Sequence, residues 1–102
     1  MQGYYRFPTI NKNNIAFVCE DDIWIVDINN PVARRLTANI SAVSCPTFSP
    51  DGKFIAYIGT EDGSTEIYIM PSEGGISRRL TYEGGLISKI SLWRGETIYY
   101  AS

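Results

Sequence analysis

Apolar residues in this chain come in short runs separated by tight polar turns, and no stretch carries convincing helical periodicity. Ile15-Ala16-Phe17-Val18-Cys19, Ile23-Trp24-Ile25-Val26-Asp27-Ile28 and Phe54-Ile55-Ala56-Tyr57-Ile58 are such runs. They do not alternate with polar residues, so each predicts a strand covered on both faces. The sharpest punctuation is Ser49-Pro50-Asp51-Gly52, between Phe48 and Lys53-Phe54. Pro50 pre-sets φ for the second turn residue, Asp51 can hydrogen-bond its own backbone, and Gly52 supplies a positive φ. β-formers flank the turn, so Phe48 to Tyr57 predicts a hairpin. A lone hairpin cannot bury two faces, so this one must be a layer in a stack.

Taken in order, Phe7-Pro8-Thr9-Ile10 predicts a first strand and Asn11-Lys12-Asn13-Asn14 a turn, with asparagine tolerant of left-handed backbone. Ile15 to Cys19 is a second strand, Glu20-Asp21-Asp22 a polar tip and Ile23 to Ile28 a third strand. Asn29-Asn30-Pro31 turns the chain into a charged fourth strand, Arg34-Arg35-Leu36-Thr37. Then the pattern restarts. Cys45-Pro46-Thr47-Phe48 matches Phe7 to Ile10, and Ile55 to Ile58 matches Ile15 to Val18 at an offset of 40 (55 − 15). Glu66-Ile67-Tyr68-Ile69 matches Asp22-Ile23-Trp24-Ile25, and Arg78-Arg79-Leu80-Thr81 matches Arg34 to Thr37, both at an offset of 44 (66 − 22). The extra residues fall in the Gly59 to Thr65 tip, where insertion is cheap. A third copy starts near Ser88 and runs through Arg94-Gly95-Glu96 to Ile98-Tyr99-Tyr100-Ala101.

Four short strands repeating every 40 to 45 residues or so is the signature of a β-propeller. The expected fold is therefore all-β: four-stranded antiparallel blades, about two and a half of them, in an incomplete propeller. Blade 1 is expected over about 4–40, blade 2 over about 41–86 and the start of blade 3 over about 87–102. Arg34, Arg35, Arg78 and Arg79 would then protect exposed edge strands. Propellers close with about 4 to 8 blades, so the expected partners are the remaining blades of a longer chain or other copies of this one.

Composition narrows the function classes. With 102 residues, a net charge of −2 and a pI near 5.0, the chain argues against nucleic acid or an anionic membrane as its main partner, since both reward a basic face. No window is apolar enough to span a bilayer, and Met1 to Arg6 does not read as a secretory signal, so the expected setting is cytoplasmic. There is no histidine, which excludes Ser-His and Cys-His catalysis from these residues alone. Cys19 and Cys45 lack metal-ligand spacing and read as small buried hydrophobes.

Each remaining candidate has a bland reading beside the sharp one. The acidic tips Glu20-Asp21-Asp22 and Glu61-Asp62 could hold a cation or a peptide amino terminus, or simply be solvated. Asp22 shares its repeat position with Glu66, which points to a structural place at a strand start. The arginine pairs could clamp an anion, but their recurrence favours edge protection. Gly74-Gly75 and Gly84-Gly85 open no helix and precede no Lys-Ser or Lys-Thr, so they are not phosphate loops. Trp24 and Tyr68 share a position and read as packing between blades. Ser41, Ser44 and Ser49 lack a base. No catalytic, cofactor-binding or metal-binding residue and no cofactor is assigned.

Phe48-Ser49-Pro50-Asp51-Gly52-Lys53 with Ile55-Ala56-Tyr57 resembles the PD40 or WD40-like repeats of TolB proteins and prolyl-oligopeptidase-type propellers. Tyr4-Tyr5-Arg6-Phe7-Pro8-Thr9-Ile10 and Ile15 to Trp24 are more specific and look like the opening of the tricorn protease family. Arg34 to Thr37, Tyr68-Ile69-Met70-Pro71-Ser72-Glu73-Gly74-Gly75 and Arg78 to Thr81 continue that resemblance. It weakens where Leu92-Trp93-Arg94-Gly95 replaces the Ser-Pro-Asp-Gly turn. The resemblance implies a large cytoplasmic hexameric serine peptidase that trims short peptides. Its N-terminal half holds two propellers that pass or filter peptides, with catalytic Ser and His and a PDZ-like domain far downstream. The expected function is thus a non-catalytic propeller segment serving substrate access and scaffolding. The alternative is a TolB-like binding or scaffold propeller with no enzyme attached.

Overall fold

The computed structural model describes residues 6–37, 42–61, 63–85, 87 and 89–101. Tyr4, Tyr5, Ser41 and Asp62 lie outside the described residues. Among those described, every helix or strand is a strand. The strands β1 (Arg6–Asn11), β2 (Asn14–Cys19), β3 (Asp22–Asp27) and β4 (Asn30–Arg35) form one antiparallel sheet in chain order. A second sheet repeats it with β5 (Ser44–Phe48), β6 (Phe54–Gly59), β7 (Glu66–Pro71) and β8 (Arg78–Arg79). β9 (Lys89–Arg94) and β10 (Thr97–Ala101) pair as a hairpin that begins a third. β1 lies against β5 and β5 against β9, so the first strands converge and β4 and β8 are outermost. This is the incomplete propeller that the repeat predicts.

The blades stack through opposite faces of their middle strands. Ala16, Val18, Ile23 and Ile25 of blade 1 meet Ile55, Tyr57, Tyr68 and Met70 of blade 2 in one core. The other face of blade 2, with Ala56, Ile58 and Ile67, packs against Ile90, Trp93 and Ile98 of the third hairpin. Residues Ile55 to Gly59 are accordingly all buried, as a doubly covered strand requires. In blade 1 the residues facing away from blade 2 are Ile15, Phe17, Trp24 and Val26, paired across β2 and β3, and all are only half-buried. Trp24 therefore does not pack between the two blades as the repeat suggests. It occupies the same column as Tyr68, but on a face with no blade beside it among the described residues.

Local geometry differs from expectation in three places. In the first hairpin it is Lys12, not an asparagine, that takes the positive φ of 52°. The third strand ends at Asp27 and β4 already starts at Asn30, so Pro31 lies in an outer strand rather than a turn. An edge strand tolerates proline because one row of its N–H groups has no partner to lose. Each first strand also carries a register shift: between Arg6 and Thr9, between Ser44 and Thr47, and opposite Tyr99 and Tyr100. Pro8 and Pro46 lie within the first two, where a missing N–H breaks no ladder bond, and Cys45 there has a φ of 51°.

The Ser-Pro-Asp-Gly turn forms as expected. Gly52 N–H donates to Ser49 O at 2.9 Å, and Gly52 has a φ of 77°. Lys53 N–H donates to Asp51 Oδ1 at 3.0 Å. The sequence gives no hint that blade 1 grips this turn. Asn11 Nδ2 donates to Pro50 O at 3.2 Å and to Ser49 O at 3.4 Å, and a Cβ added at Gly52 would run into the Asn11 carboxamide oxygen. Gly52→Ala is expected to lower stability by about 1–2 kcal/mol, since an L side chain is disfavoured at that φ. Asn11→Ala removes the obstruction and should recover part of the loss in a double-mutant cycle of urea midpoints. A Gly52→Ala midpoint equal to that of the native chain would refute this account.

Candidate functional site

Each complete blade is fastened by a carboxylate on the first residue of its third strand. In blade 2 this is Glu66, which is fully buried. Its Oε1 accepts the Thr81 hydroxyl at 2.7 Å and the Glu83 N–H at 2.9 Å. Its Oε2 accepts the Gly84 N–H at 2.9 Å, Arg79 Nη2 at 3.0 Å and the Ser64 hydroxyl at 3.1 Å. Thr81 Oγ1 also accepts the Ile67 N–H at 2.9 Å, which ties the loop after β8 to β7. Burial by itself raises a carboxyl pKa. Here the Glu83 and Gly84 amides and the Thr81 and Ser64 hydroxyls outweigh it and hold Glu66 down to about 2.

Blade 1 carries the same clasp in a slacker form. Thr37 Oγ1 donates to Asp22 Oδ1 at 2.8 Å and accepts the Ile23 N–H at 3.0 Å. Arg35 Nη1 stands 3.7 Å from Asp22 Oδ2. The shorter aspartate and the longer ionic contact fit a side chain with one methylene fewer.

The arginine pairs consequently divide their work. Arg34 and Arg78 are exposed along the outer strands, where charge discourages edge pairing. Arg35 and Arg79 instead meet the clasp carboxylates. Arg79 also donates from Nε to Thr81 O at 2.8 Å and lies 4.1 Å from the centre of the Tyr82 ring. Edge protection therefore describes only one member of each pair.

The acidic tips do not converge. Glu20 and Asp21 are exposed and form a two-residue turn with φ of 52° and 68°, the type I′ geometry of a tight hairpin, while Asp22 turns inward. Glu61 accepts the Tyr57 hydroxyl at 2.8 Å and the Ser77 hydroxyl at 3.0 Å, joining the tip after β6 to the segment before β8. Burial, with the Glu61 carboxylate beside it, pushes the Tyr57 phenol well above its ordinary range. Among the described residues no three His, Cys, Asp or Glu side chains gather where a metal ion could sit.

Ser49 is buried in its turn. Its hydroxyl donates to Asp51 Oδ1 at 2.6 Å and accepts the Phe54 N–H at 3.0 Å. The Ser49 hydroxyl and the Lys53 amide hold the Asp51 carboxyl below the usual range. Ser44 is half-buried in β5. Cys19 is buried, Cys45 is half-buried, and neither forms a disulfide. Gly84 does serve an anion, but its occupant is the chain's own Glu66. Among the described residues this arrangement fastens strands and blades.

Three polar contacts escape a reading of the sequence: the Asn11 grip, the Glu83-Gly84 amide pair and the Tyr57-Glu61-Ser77 link. Only the clasp left a signal. Asp22 with Glu66, Arg35 with Arg79 and Thr37 with Thr81 recur at the one offset of 44 (66 − 22), so they move as a unit.

The fold agrees with comparison to known proteins. The family described as the tricorn protease N-terminal beta propeller domain matches residues 2–102. Tricorn protease homolog 1 of Streptomyces coelicolor is 36% identical over 94 residues, covering 92% of this chain and 9% of the relative. The crystal structure of the tricorn protease superposes with a TM-score of 0.71 at 30% identity, over 82% of this chain and 8% of that one. TolB from Acinetobacter baumannii reaches a TM-score of 0.75 over 98% of this chain and 30% of its own, but at 19% identity it speaks for the fold alone. The chain thus spans less than a tenth of these tricorn relatives, and within that tenth it belongs to the tricorn protease family as part of its N-terminal β-propeller.

Proposed function

We propose that this chain is a non-catalytic propeller segment of a serine peptidase that degrades short peptides, and that it serves substrate access and scaffolding. The observation that carries this is the match along residues 2–102 to the tricorn N-terminal propeller. The engagement of Ser49, Asp51, Asp22 and Glu66 in turns and clasps supports a structural rather than a chemical duty for these residues. Blade 1 occupies about 4–40, blade 2 about 41–86 and the start of blade 3 about 87–102. Its partners are the remaining blades of the parent propeller or other copies of the chain, and the parent enzyme handles peptides in the cytoplasm. No helix among the described residues is long and apolar enough to cross a membrane.

Peptide hydrolysis tests the proposal. The 102-residue chain is expected to leave fluorogenic tri- and tetrapeptides intact, while the product of the full reading frame cleaves them. Turnover by the chain itself would sink the reading, as would a frame with neither a PDZ-like region nor a downstream Ser and His.

A further inference from the structure

Blade 2 has the shorter outer strand and the tighter clasp. β8 is two residues long where β4 is six. So short a ladder holds an outer strand weakly, and the position of β8 depends on the loop that follows it. That loop turns through Gly84 and Gly85, at φ of 74° and 87°. The left-handed turn brings the Glu83 and Gly84 amides onto one carboxylate, that of Glu66, in the manner of an anion-binding nest. Gly85 is pressed against the neighbouring tip, where a Cβ would come 3.4 Å from Thr65 N.

The same loop reaches the next unit. Tyr100 of β10 donates its hydroxyl to Glu83 Oε1 at 2.6 Å. Tyr100 lies two residues beyond Ile98, on the face of the hairpin that packs against blade 2. The bond to the Glu83 carboxylate holds the Tyr100 phenol above its ordinary range. This contact therefore ties the seam between blade 2 and the third hairpin on the rim that carries the clasp. The seam between blades 1 and 2 is tied on the opposite rim, where Asn11 grips the Ser49-Pro50 turn. At the position equivalent to Asn11, blade 2 has Ser49, whose hydroxyl is used within its own turn.

We propose that Glu83 couples the clasp of blade 2 to the docking of the third hairpin, so that clasp, β8 and this rim of the seam open and close as one unit. One residue serves both contacts, its amide on Glu66 and its carboxylate on Tyr100. When Glu66 releases the Glu83 and Gly84 amides, the loop loses the turn that aims the Glu83 carboxylate, and the Tyr100 hydroxyl loses a fixed acceptor. In reverse, a Tyr100 hydroxyl held by Glu83 restrains the loop and favours the closed clasp. Linkage makes the two effects reciprocal. A two-residue strand followed by an exposed turn is the kind of segment that opens locally while the rest of the fold stays closed. The coupling belongs to the fold and holds whatever the parent chain does with peptides.

Native-state amide exchange on the full chain tests it. Tyr100→Phe removes only the hydroxyl. It is expected to speed exchange of the Glu83 and Gly84 amides by about threefold or more, the effect of one hydrogen bond. The Leu80 amide, which donates to Ile67 O, should speed up with them, while amides along β2 and β3 keep their rates. Thr81→Val takes one hydroxyl from Glu66 and should in return speed exchange along β9 and β10; Thr81→Ser, which keeps the hydroxyl, should not. In the double variant, Tyr100→Phe should add less than it does alone, because the two sites share Glu83. If Thr81→Val does not fold, Arg79→Lys, which weakens one clasp contact and keeps the charge, takes its place. Unchanged exchange at Glu83 and Gly84 in Tyr100→Phe overturns the proposal, as does a hairpin indifferent to the clasp variant. Equal acceleration in blade 1, which marks a general loss of stability, and strictly additive effects in the double variant overturn it too.

Discussion

Replacing Glu66 with alanine is expected to lower the Tm on the order of 15 °C or more, because it strips a buried charge from partners that stay behind. The Glu83 and Gly84 amides, the Thr81 and Ser64 hydroxyls and the Arg79 guanidinium all point at this one carboxylate. Alanine would leave them unsatisfied in a cavity, and an orphaned buried donor is costlier than the bond it once made is valuable. Glu66→Gln keeps the shape but aims an N–H₂ at some of these donors, so it should fall between alanine and the native residue. Glu66→Asp should be mildest, since blade 1 fastens itself with Asp22. The sign of the pH dependence follows from the pKa. Glu66 titrates near 2 in the folded chain against an ordinary value of 4.5. Its contribution is therefore complete above about 4.5 and is lost as pH falls towards 2. Thermal melts from pH 7 to 3 should show the native Tm falling more steeply below pH 4.5 than that of Glu66→Gln. Parallel slopes would mean that the carboxylate is not held ionised in the fold.

The clasp also marks the limit of what the chain declares about itself. The order of the strands and the doubly covered β6 are legible, because hydrophobic runs and a Ser-Pro-Asp-Gly turn report local preferences. Glu66 is different. A carboxylate next to a hairpin tip looks solvated in sequence, and only the returning loop, with Thr81, Glu83 and Gly84, encloses it. Nothing local distinguishes Arg78 from Arg79, yet alternation along a strand sends one outward and the other to Glu66. Lys12 takes the left-handed position in a turn with asparagines on both sides because the register Asn11 to Asn14 fixes a two-residue loop there. Propensity would have given that position to asparagine. The candidate site was legible only as a set of columns in the repeat, and its chemistry depends on burial, which a single sequence does not display.

Burial also decides the sharpest contrast between equivalent positions. Tyr68→Ala is expected to cost about 3–5 kcal/mol, the usual range for emptying a large aromatic site in a core. Tyr68 is 2% exposed, and its ring stacks on Tyr57 with centroids 5.8 Å apart, an arrangement that adds about 0.5–1.5 kcal/mol beyond the area buried. Trp24 occupies the same column of the repeat and is the larger side chain, yet Trp24→Ala should cost only about 1 kcal/mol. It is half-buried, and its face of blade 1 has no blade opposite it among the described residues. Urea unfolding of the two variants at low micromolar concentration separates the cases. If the two losses are equal, the outer face of blade 1 is covered in solution, and dilution should then weaken the Trp24 effect while leaving that of Tyr68 unchanged. A concentration-independent loss of equal size would instead require the chain itself to fold over Ile15, Trp24 and Val26, which the sheet order does not provide for.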